Sequence, residues 1–584
     1  MSNPASPPSA NAAWLRALER TATIGERPGF TLPVLVEEAA ARHPDAPALL
    51  SATERFTYRE LAARANVYAD WALAHGFGAG SVIGLMMTNR PEYVAIWLGL
   101  ARTGATVALL NTNLTGAGLA HCIAAAQASA VIAEARFLSA LAETTTELWL
   151  HGGADDNPRR IDHWLANSPA PKPLPSAVTL SDRALYIYTS GTTGLPKAAS
   201  VSHHRIMQWS LWFAGMANLT AADRTYNCLP LYHSVGGVVA VGAALAAGGS
   251  VFLRERFSAN RFWPEVAEQN CTVFQYIGEL CRYLLAAPPS SAEMNHRLRL
   301  ACGNGLRPDV WEAFQARFAI PQILEFYAAT EGNFSLFNAE GVSGSIGRFP
   351  NFLPQRKSVA LVRVDQVTGA ALRGTDGFCL RCDPDEVGEA FSQIAGGASA
   401  RFEGYADSAA TERKILRDVF VAGDAWFRSG DLMRKNARGF FYFADRIGET
   451  FRWKGENVST AEVAAVLRAC PGVLDADVYG VPVPGTDGKA GMAAVVPGEG
   501  FDLAALRAHV SGQLPNYARP VFLRICSGLE RTATFKANTI GLQSDGFDPA
   551  RISEPLYIDA PSRDRYVQFD AATHTEILAG RVRF

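Results

Sequence analysis

Along most of its first half the chain alternates short, apolar, β-rich runs with stretches of helical spacing, and few folds accept that order. Thr57 to His75 (TYRELAARANVYADWALAH) spaces its apolar residues for one helical face, Val82 to Met87 is a continuous apolar run, and Pro91 opens another helical stretch ahead of TVALLN. The alternation returns at Ala184 to Thr189 and at Thr272 to Ile277. Strands joined through helices pair in parallel, and a parallel sheet buries both faces. The expectation is therefore an α/β chain of mixed and mainly parallel sheets flanked by helices. No solenoid-type repeat period is seen.

At roughly 150 residues per domain, 584 residues leave room for about four compact units. Lys and Arg total 54 against 56 Asp and Glu, a formal charge of −2, with 48% hydrophobic and 19% charged residues. Such a composition excludes global disorder. The chain also lacks the extended basic block with which proteins displace counterions from duplex nucleic acid. Nine cysteines, an odd number scattered from Cys122 to Cys526, read as reduced thiols of a cytoplasmic protein rather than a disulfide framework. The opening MSNPASPPSANAA has no basic stretch followed by an apolar one, so a disordered lead-in is expected instead of a secretory signal. Val235 to Leu253 comes nearest to a membrane span, yet its five glycines and small side chains favour a buried helix running into a strand.

Between Asp155 and Pro175 the chain turns polar and Pro-rich, a surface connection into the run ALYIYTS. A sharper break follows the β-rich stretch that ends at Arg446, Ile447 and Gly448. Beyond it come a helix (Thr460 to Ala469), the strand-like DADVYGVPV, a second helix (Leu503 to Leu514) and a tail. These readings divide the chain into a lead-in (1–30), a large subdivided N-terminal domain (31–446) and a small, mobile α+β C-terminal domain (447–584).

Tyr188 to Lys197 (YTSGTTGLPK) carries the first chemical signature. Thr189, Ser190, Thr192 and Thr193 offer hydroxyls, Gly191 and Gly194 let the backbone turn and approach an anion, and Lys197 adds a point charge. A loop of that make-up cradles phosphates. It departs from the Walker pattern, since Lys197 is followed by Ala198 rather than Ser or Thr. The string is similar to the signature loop of the adenylate-forming superfamily, which includes acyl-CoA synthetases, peptide-synthetase adenylation domains and luciferases. GNGL at Gly303, EFYAATEGN at Glu325, SGD at Ser429, ADR at Ala444 and Lys536 in TATFK follow in that superfamily's order, over about residues 30 to 545. Longer strings narrow the likeness: NTNL at Asn111, LPLYHSVGG at Leu229, FSANRFWPEV at Phe257, CTVFQYIGELCRYLL at Cys271, LACGNGLRPDVWEAFQARF at Leu300 and DRIGETFRWKGENVSTAEV at Asp445. With the tail from Gly546 to Phe584, they resemble the fatty-acid transport protein / very-long-chain acyl-CoA synthetase family from end to end.

That resemblance implies an AMP-forming fatty acyl-CoA synthetase using ATP, Mg²⁺ and CoA. A long- or very-long-chain acid would be activated to acyl-AMP and passed to the CoA thiol, the C-terminal domain rotating between the half-reactions. A carboxylate repels nucleophiles, so it first attacks the α-phosphate, and the protein has to neutralise two anions while they meet. By resemblance, the loop from Thr189 to Lys197 holds the β- and γ-phosphates, Thr330 bonds the α-phosphate, and Glu331 binds Mg²⁺. Tyr327 with Gly303, Asn304 and Gly305 receives adenine, and Asp431 with Arg446 takes the ribose hydroxyls. Lys536, the last lysine of the chain, would reach between carboxylate and α-phosphate. Phe535 stands where many relatives carry Gly, which leaves a surface lysine as the alternative. Gly448 marks the hinge or else an ordinary turn, and rotation there would present Trp453, Lys454, Gly455 and Glu456 to CoA.

His233 resembles an aromatic-rich gate beside the acyl pocket, a packed histidine being the other reading. Trp209, Phe213, Tyr276, Gly278 and Gly332 are assigned to the pocket by position. Burying a CH₂ contributes about 0.8 kcal/mol, but one methylene discriminates by only about 1–3 kcal/mol, so chain length is not legible. Two alternatives stay open: the same chemistry on a bile-acid or sterol side-chain carboxylate, and a fatty-acid uptake protein acting by trapping as the CoA ester. Peripheral contact with the inner face of a membrane is compatible with either, and the oligomeric state is not legible. Cys379-Leu-Arg-Cys382 lacks the second pair that a zinc site needs and reads as strand-edge thiols, while His203 and His204 read as the start of a helix.

Overall fold

The computed structural model describes residues 9–154, 157–167, 178–189, 196–365, 369–394, 402–447, 451–453, 456–484, 486, 488–531, 539–560, 565–579 and 581–582. A first compact unit comprises Met1–Ser358, Ser392–Leu416 and Ala425–Phe427. In it the alternating pattern becomes two sheets. The larger has eight strands in the order Ser335–Asn338, Ile323–Ala328, Leu300–Asn304, Val273–Ile277, Arg224–Asn227, Ser250–Leu253, Pro47–Leu50 and Arg55–Thr57. Its six central strands run parallel and an antiparallel strand closes each edge. The other sheet, ordered Glu147–His151, Ala130–Glu134, Val82–Met86, Thr106–Leu109, Arg183–Thr189 and Lys197–Ser202, is parallel except for its last pair.

Local chemistry sets the element boundaries. The Thr57 hydroxyl accepts from the Glu60 amide while the Glu60 carboxylate accepts from the Thr57 N–H, a capping box that starts the helix Tyr58–Ala74. Pro91 occupies the first turn of Pro91–Arg102, where a missing N–H costs nothing. Val82–Met86 is buried along its whole length, as a central parallel strand must be. The apolar stretch from Val235 resolves into a π-helical segment, Ser234–Ala240, a short helix, Val241–Ala246, and the strand Ser250–Leu253. Among the described residues no helix is long and apolar enough to cross a membrane.

The lead-in is shorter than its composition suggests. Ala10–Ala22 is helical, with Ala13, Trp14 and Ala17 buried. It docks on the helix His203–Met216, where Gly215 makes room: a Cβ there would lie 2.5 Å from the Ala17 Cα. Arg16 and Arg20 donate to the Gly215 and Leu219 carbonyls. Docking of Trp14 adds to the helix propensity of this Ala-, Leu- and Arg-rich segment.

A second unit comprises Val359–Phe391, Arg417–Asp424 and Arg428–Phe584. Val473–Pro482, Lys489–Pro497, Phe522–Ile525, Leu556–Ala560 and Arg565–Gln568 form a mixed five-stranded sheet. The helices Thr460–Ala469 and Leu503–Gln513 add Val463, Leu467, Leu506 and Val510 to its core. The tail belongs to this core, because its two strands complete the sheet and Phe547 stacks on Phe522 with ring centroids 4.7 Å apart.

Candidate active site

Loops leaving the carboxyl ends of parallel strands gather at one edge of a sheet, the place where open α/β sheets bind ligands. Those after Arg224–Asn227, Val273–Ile277, Leu300–Asn304 and Ile323–Ala328 carry His233, Gly278, Gly305 and Thr330. The start of the helix Gly278–Ala286 and the loop after Leu300–Asn304 meet at contact distance. A Cβ on Gly278 would lie 1.9 Å from the Gly305 carbonyl oxygen, and one on Gly303 would lie 2.3 Å from that of Tyr276. Gly305 itself has φ of 79°, which favours glycine. Beneath the loop, Glu325 is 2% exposed, accepts from the Leu306 N–H at 3.0 Å, and accepts from the Tyr276 hydroxyl. Burial pushes its carboxyl up to about 8, against the pull of Tyr276 and the Leu306 and Gly305 amides. Tyr276 and Gly278, assigned by position to an acyl pocket, thus brace the loop Gly303–Asn304–Gly305. Tyr327 is half-buried, its ring 5.4 Å from Phe334.

Thr330 and Glu331 sit at the same edge. The Thr330 and Ser234 hydroxyls are 3.0 Å apart, and Arg205 donates to the Thr330 carbonyl at 3.1 Å. Arg205 is buried and lies 3.5 Å from Glu403, which accepts from the Ser202 N–H at 2.7 Å and hydroxyl at 2.6 Å. Desolvation lowers the Arg205 pKa, with Glu403 and Glu331 opposing it. The Tyr405 hydroxyl donates to Glu331 Oε1 at 2.9 Å. Thr189 and Lys197 face each other across the antiparallel pair that flanks the phosphate-loop sequence. Lys197 Nζ lies over the Tyr405 ring, 5.8 Å from its centroid, and burial, then Arg413 and Lys414, lowers its pKa. The Ser200 N–H donates to the Gly404 carbonyl and the Ala406 N–H to the Ala198 carbonyl, both at 2.9 Å, so residues 403–406 are stitched along Lys197–Ser202. Arg205, Glu403 and Tyr405 went unremarked in the sequence because none sits in a chemical motif. The short string EGY, Glu403 to Tyr405, was the available signal.

Glu331 suits Mg²⁺, a hard cation that binds through one or two carboxylates plus substrate phosphates rather than in an all-protein cage. No group of three or more ligating His, Cys, Asp or Glu side chains occurs among the described residues.

Two small cavities share part of their lining near Thr330. One, about 20 Å³, is lined by Trp209, Phe213, Ser234, Val239 and Thr330 among others. The other, about 10 Å³, is lined by Phe213, Val239, Ala243, Val273 and Cys302 among others. Each has room for about one water molecule rather than an acyl chain. Phe213 and Val239 border both. Gly332 lines neither; its N–H donates to the Ala329 carbonyl at 3.0 Å in a tight turn. The His233 ring is 4.7 Å from that of Tyr232, whose hydroxyl accepts from Asn113 at 3.3 Å, so the strings NTNL and LPLYHS meet.

In the second unit, Asp431 and Arg446 are cross-strand partners of Ala425–Lys435 and Phe441–Arg446, with Nε 3.1 Å from Oδ1. Glu389, 1% exposed, is paired with Arg428 and accepts from the Gly430 N–H at 2.9 Å, holding the strand next to Asp431. Trp453 is buried in the hairpin of Phe451–Trp453 with Glu456–Val458. Ser190, Gly191, Thr192, Thr193, Gly194, Gly448, Lys454, Gly455 and Lys536 lie outside the described residues, and Glu456 is described for its backbone alone. Burial pushes the Cys382 thiol up to about 12, away from the thiolate that metal binding or redox chemistry needs. His203 begins its helix, buried, its imidazole pushed down to about 4 by desolvation.

Comparison with known proteins agrees with this architecture. The AMP-binding enzyme family matches residues 36–364, and the AMP-binding enzyme C-terminal domain matches 462–536. Long-chain fatty acid transport protein 1 of Mus musculus is 42% identical over 571 residues, covering 95% of this chain and 88% of its own. A medium/long-chain-fatty-acid–CoA ligase of Mycobacterium tuberculosis is 39% identical over 555 residues, 94% of this chain and 92% of its own. Among solved structures, ATP-bound MatB from Rhodopseudomonas palustris superposes with a TM-score of 0.74 at 24% identity, over 88% of this chain and 99% of that one. An anthranilate CoA ligase in complex with anthranoyl-AMP gives 0.75 at 20% identity, over 88% and 97%. At these identities the likeness is one of fold.

Proposed function

Since the chain belongs to the AMP-binding enzyme family, we propose that it is an AMP-forming fatty acid–CoA ligase that activates a long- or very-long-chain acid with ATP and passes it to CoA. The observation that carries this reading is that Tyr405 joins Glu331, beside Thr330 on one sheet, to the strand leaving the phosphate loop on the other, with a small apolar cavity lined in part by Thr330.

In the first half-reaction the fatty carboxylate attacks the α-phosphorus and pyrophosphate leaves. The Thr330 hydroxyl, held by Ser234 and by the Arg205 bond to its carbonyl, donates to an α-phosphate oxygen where charge accumulates. Glu331 would hold Mg²⁺, which when bound supplies neutralising charge to the polyphosphate. The loop from Thr189 to Lys197 takes the β- and γ-phosphates, Gly303 to Gly305 and Tyr327 take adenine, and Asp431 with Arg446 takes the ribose. Lys536 bridges the two reacting anions. Rotation of the C-terminal domain about Gly448 then withdraws Lys536 and brings residues 453–456 to a channel for the CoA arm, whose thiol attacks acyl-AMP. Because each recorded cavity holds about one water, acid entry requires side chains around Phe213 and Val239 to move. Uptake driven by trapping as the CoA ester would unite the ligase and transport names of the relatives, with peripheral contact at a membrane's inner face.

Acid-dependent pyrophosphate release over a panel of fatty, bile and sterol side-chain acids, with the thioester identified by mass, tests the reading. Turnover confined to bile or sterol acids would replace the substrate class, and absence of any thioester would overturn the activity.

A further inference from the structure

We propose that Tyr405 is a positioning residue that fixes the plane of the Glu331 carboxylate and ties it to the strand leaving the phosphate loop. The proposal rests on the reading of Glu331 as the cation-binding carboxylate. A glutamate on a loop turns freely about its side-chain torsions, and both oxygens compete for any cation. Here Oε1 is committed to the Tyr405 hydroxyl at 2.9 Å, which leaves one defined oxygen for a ligand.

Tyr405 is itself held at three points. Its N–H donates to Thr411 Oγ1 at 2.9 Å, its backbone bridges Ala199, and its ring packs in a buried cluster with Ala199 and Ala410. Gly404 before it has φ of 67°, and a Cβ there would lie 2.5 Å from the Thr411 methyl, so the turn aiming the ring requires glycine. The phenol proton goes to Glu331, and the backbone bridge to Ala199 joins this pair to the strand leaving the phosphate loop.

The test is Tyr405→Phe in the full chain, which keeps the packed ring and removes the donor. Mn²⁺ binding in the presence of a non-hydrolysable ATP analogue is followed by electron paramagnetic resonance, and AMP binding without metal by calorimetry. The expected result is about 10–100-fold weaker Mn²⁺ binding, with AMP affinity and melting temperature unchanged. Unchanged Mn²⁺ affinity, or an equal loss of AMP affinity, would overturn the proposal. Glu331→Gln, run in parallel, separates the two levels. If it weakens Mn²⁺ binding and Tyr405→Phe does not, the positioning role alone fails; if it has no effect, the reading of Glu331 fails as well.

Discussion

Glu325 is a carboxyl placed under the Gly303–Gly305 loop, facing the Tyr276 phenol and the Cys281 and Cys302 thiols, all of them buried. Its folded value of about 8 stands above the ordinary 4.5, so the native state holds a proton that the unfolded chain has already released. The stabilisation is full below the unfolded value and is lost as pH rises through about 8. Glu325→Gln keeps an acceptor for Leu306 and removes the titration. The expected outcome is a urea midpoint that falls between pH 5 and 9 in the parent and is flatter in the variant; parallel profiles would refute the assignment. Glu325→Ala, which strands the Leu306 N–H, should cost about 1–3 kcal/mol. At this scale the sequence offers candidates where they lie in one contiguous string, as with Thr330 and Glu331. It was silent on supports such as Glu325, Arg205 and Tyr405, whose roles come from partners far away in the chain.

Among the elements, the close approach of the helix start at Gly278 to the loop after Leu300–Asn304 leaves no room for a side chain at Gly278. Gly278→Ala would set a methyl against the Gly305 backbone, which cannot swing aside as a side chain can. A loss of about 1–3 kcal/mol in stability, with weaker AMP binding, is expected by chemical denaturation and calorimetry. The shared lining of the two cavities gives a second handle. Val239, on the π-helical segment, borders both, so Val239→Phe should fill this space and shift pyrophosphate release toward shorter acids. An unchanged chain-length profile would place the acyl chain elsewhere. Helix starts such as Thr57 and Pro91 were legible because capping and proline geometry are local. The π-helical stretch, the helix Ala10–Ala22 and the tail strands were not, because each is ordered in part by packing or pairing with residues remote in sequence.

For the whole molecule, a net charge of −2 gives no long-range attraction for ATP, CoA or a fatty carboxylate, so anion binding has to come from a few placed groups. Thr330 and Glu331 belong to the first unit, whereas Asp431, Arg446 and the stretch leading to Lys536 belong to the second. Arg531 marks the start of that stretch and is ion-paired with Asp475 and Asp477 on the C-terminal sheet. Under the proposed mechanism Lys536 serves adenylation and takes no part in thioester formation. Lys536→Ala should therefore lower acyl-AMP formation by at least about 10²-fold while thioester formation from supplied acyl-AMP persists. Gly448→Pro, which removes freedom at the proposed hinge, should do the reverse. Single-turnover measurement of each half-reaction in both variants decides the matter. Opposite defects require one chain to adopt two arrangements in sequence, and equal defects in both half-reactions would mean that a single fixed arrangement performs both steps.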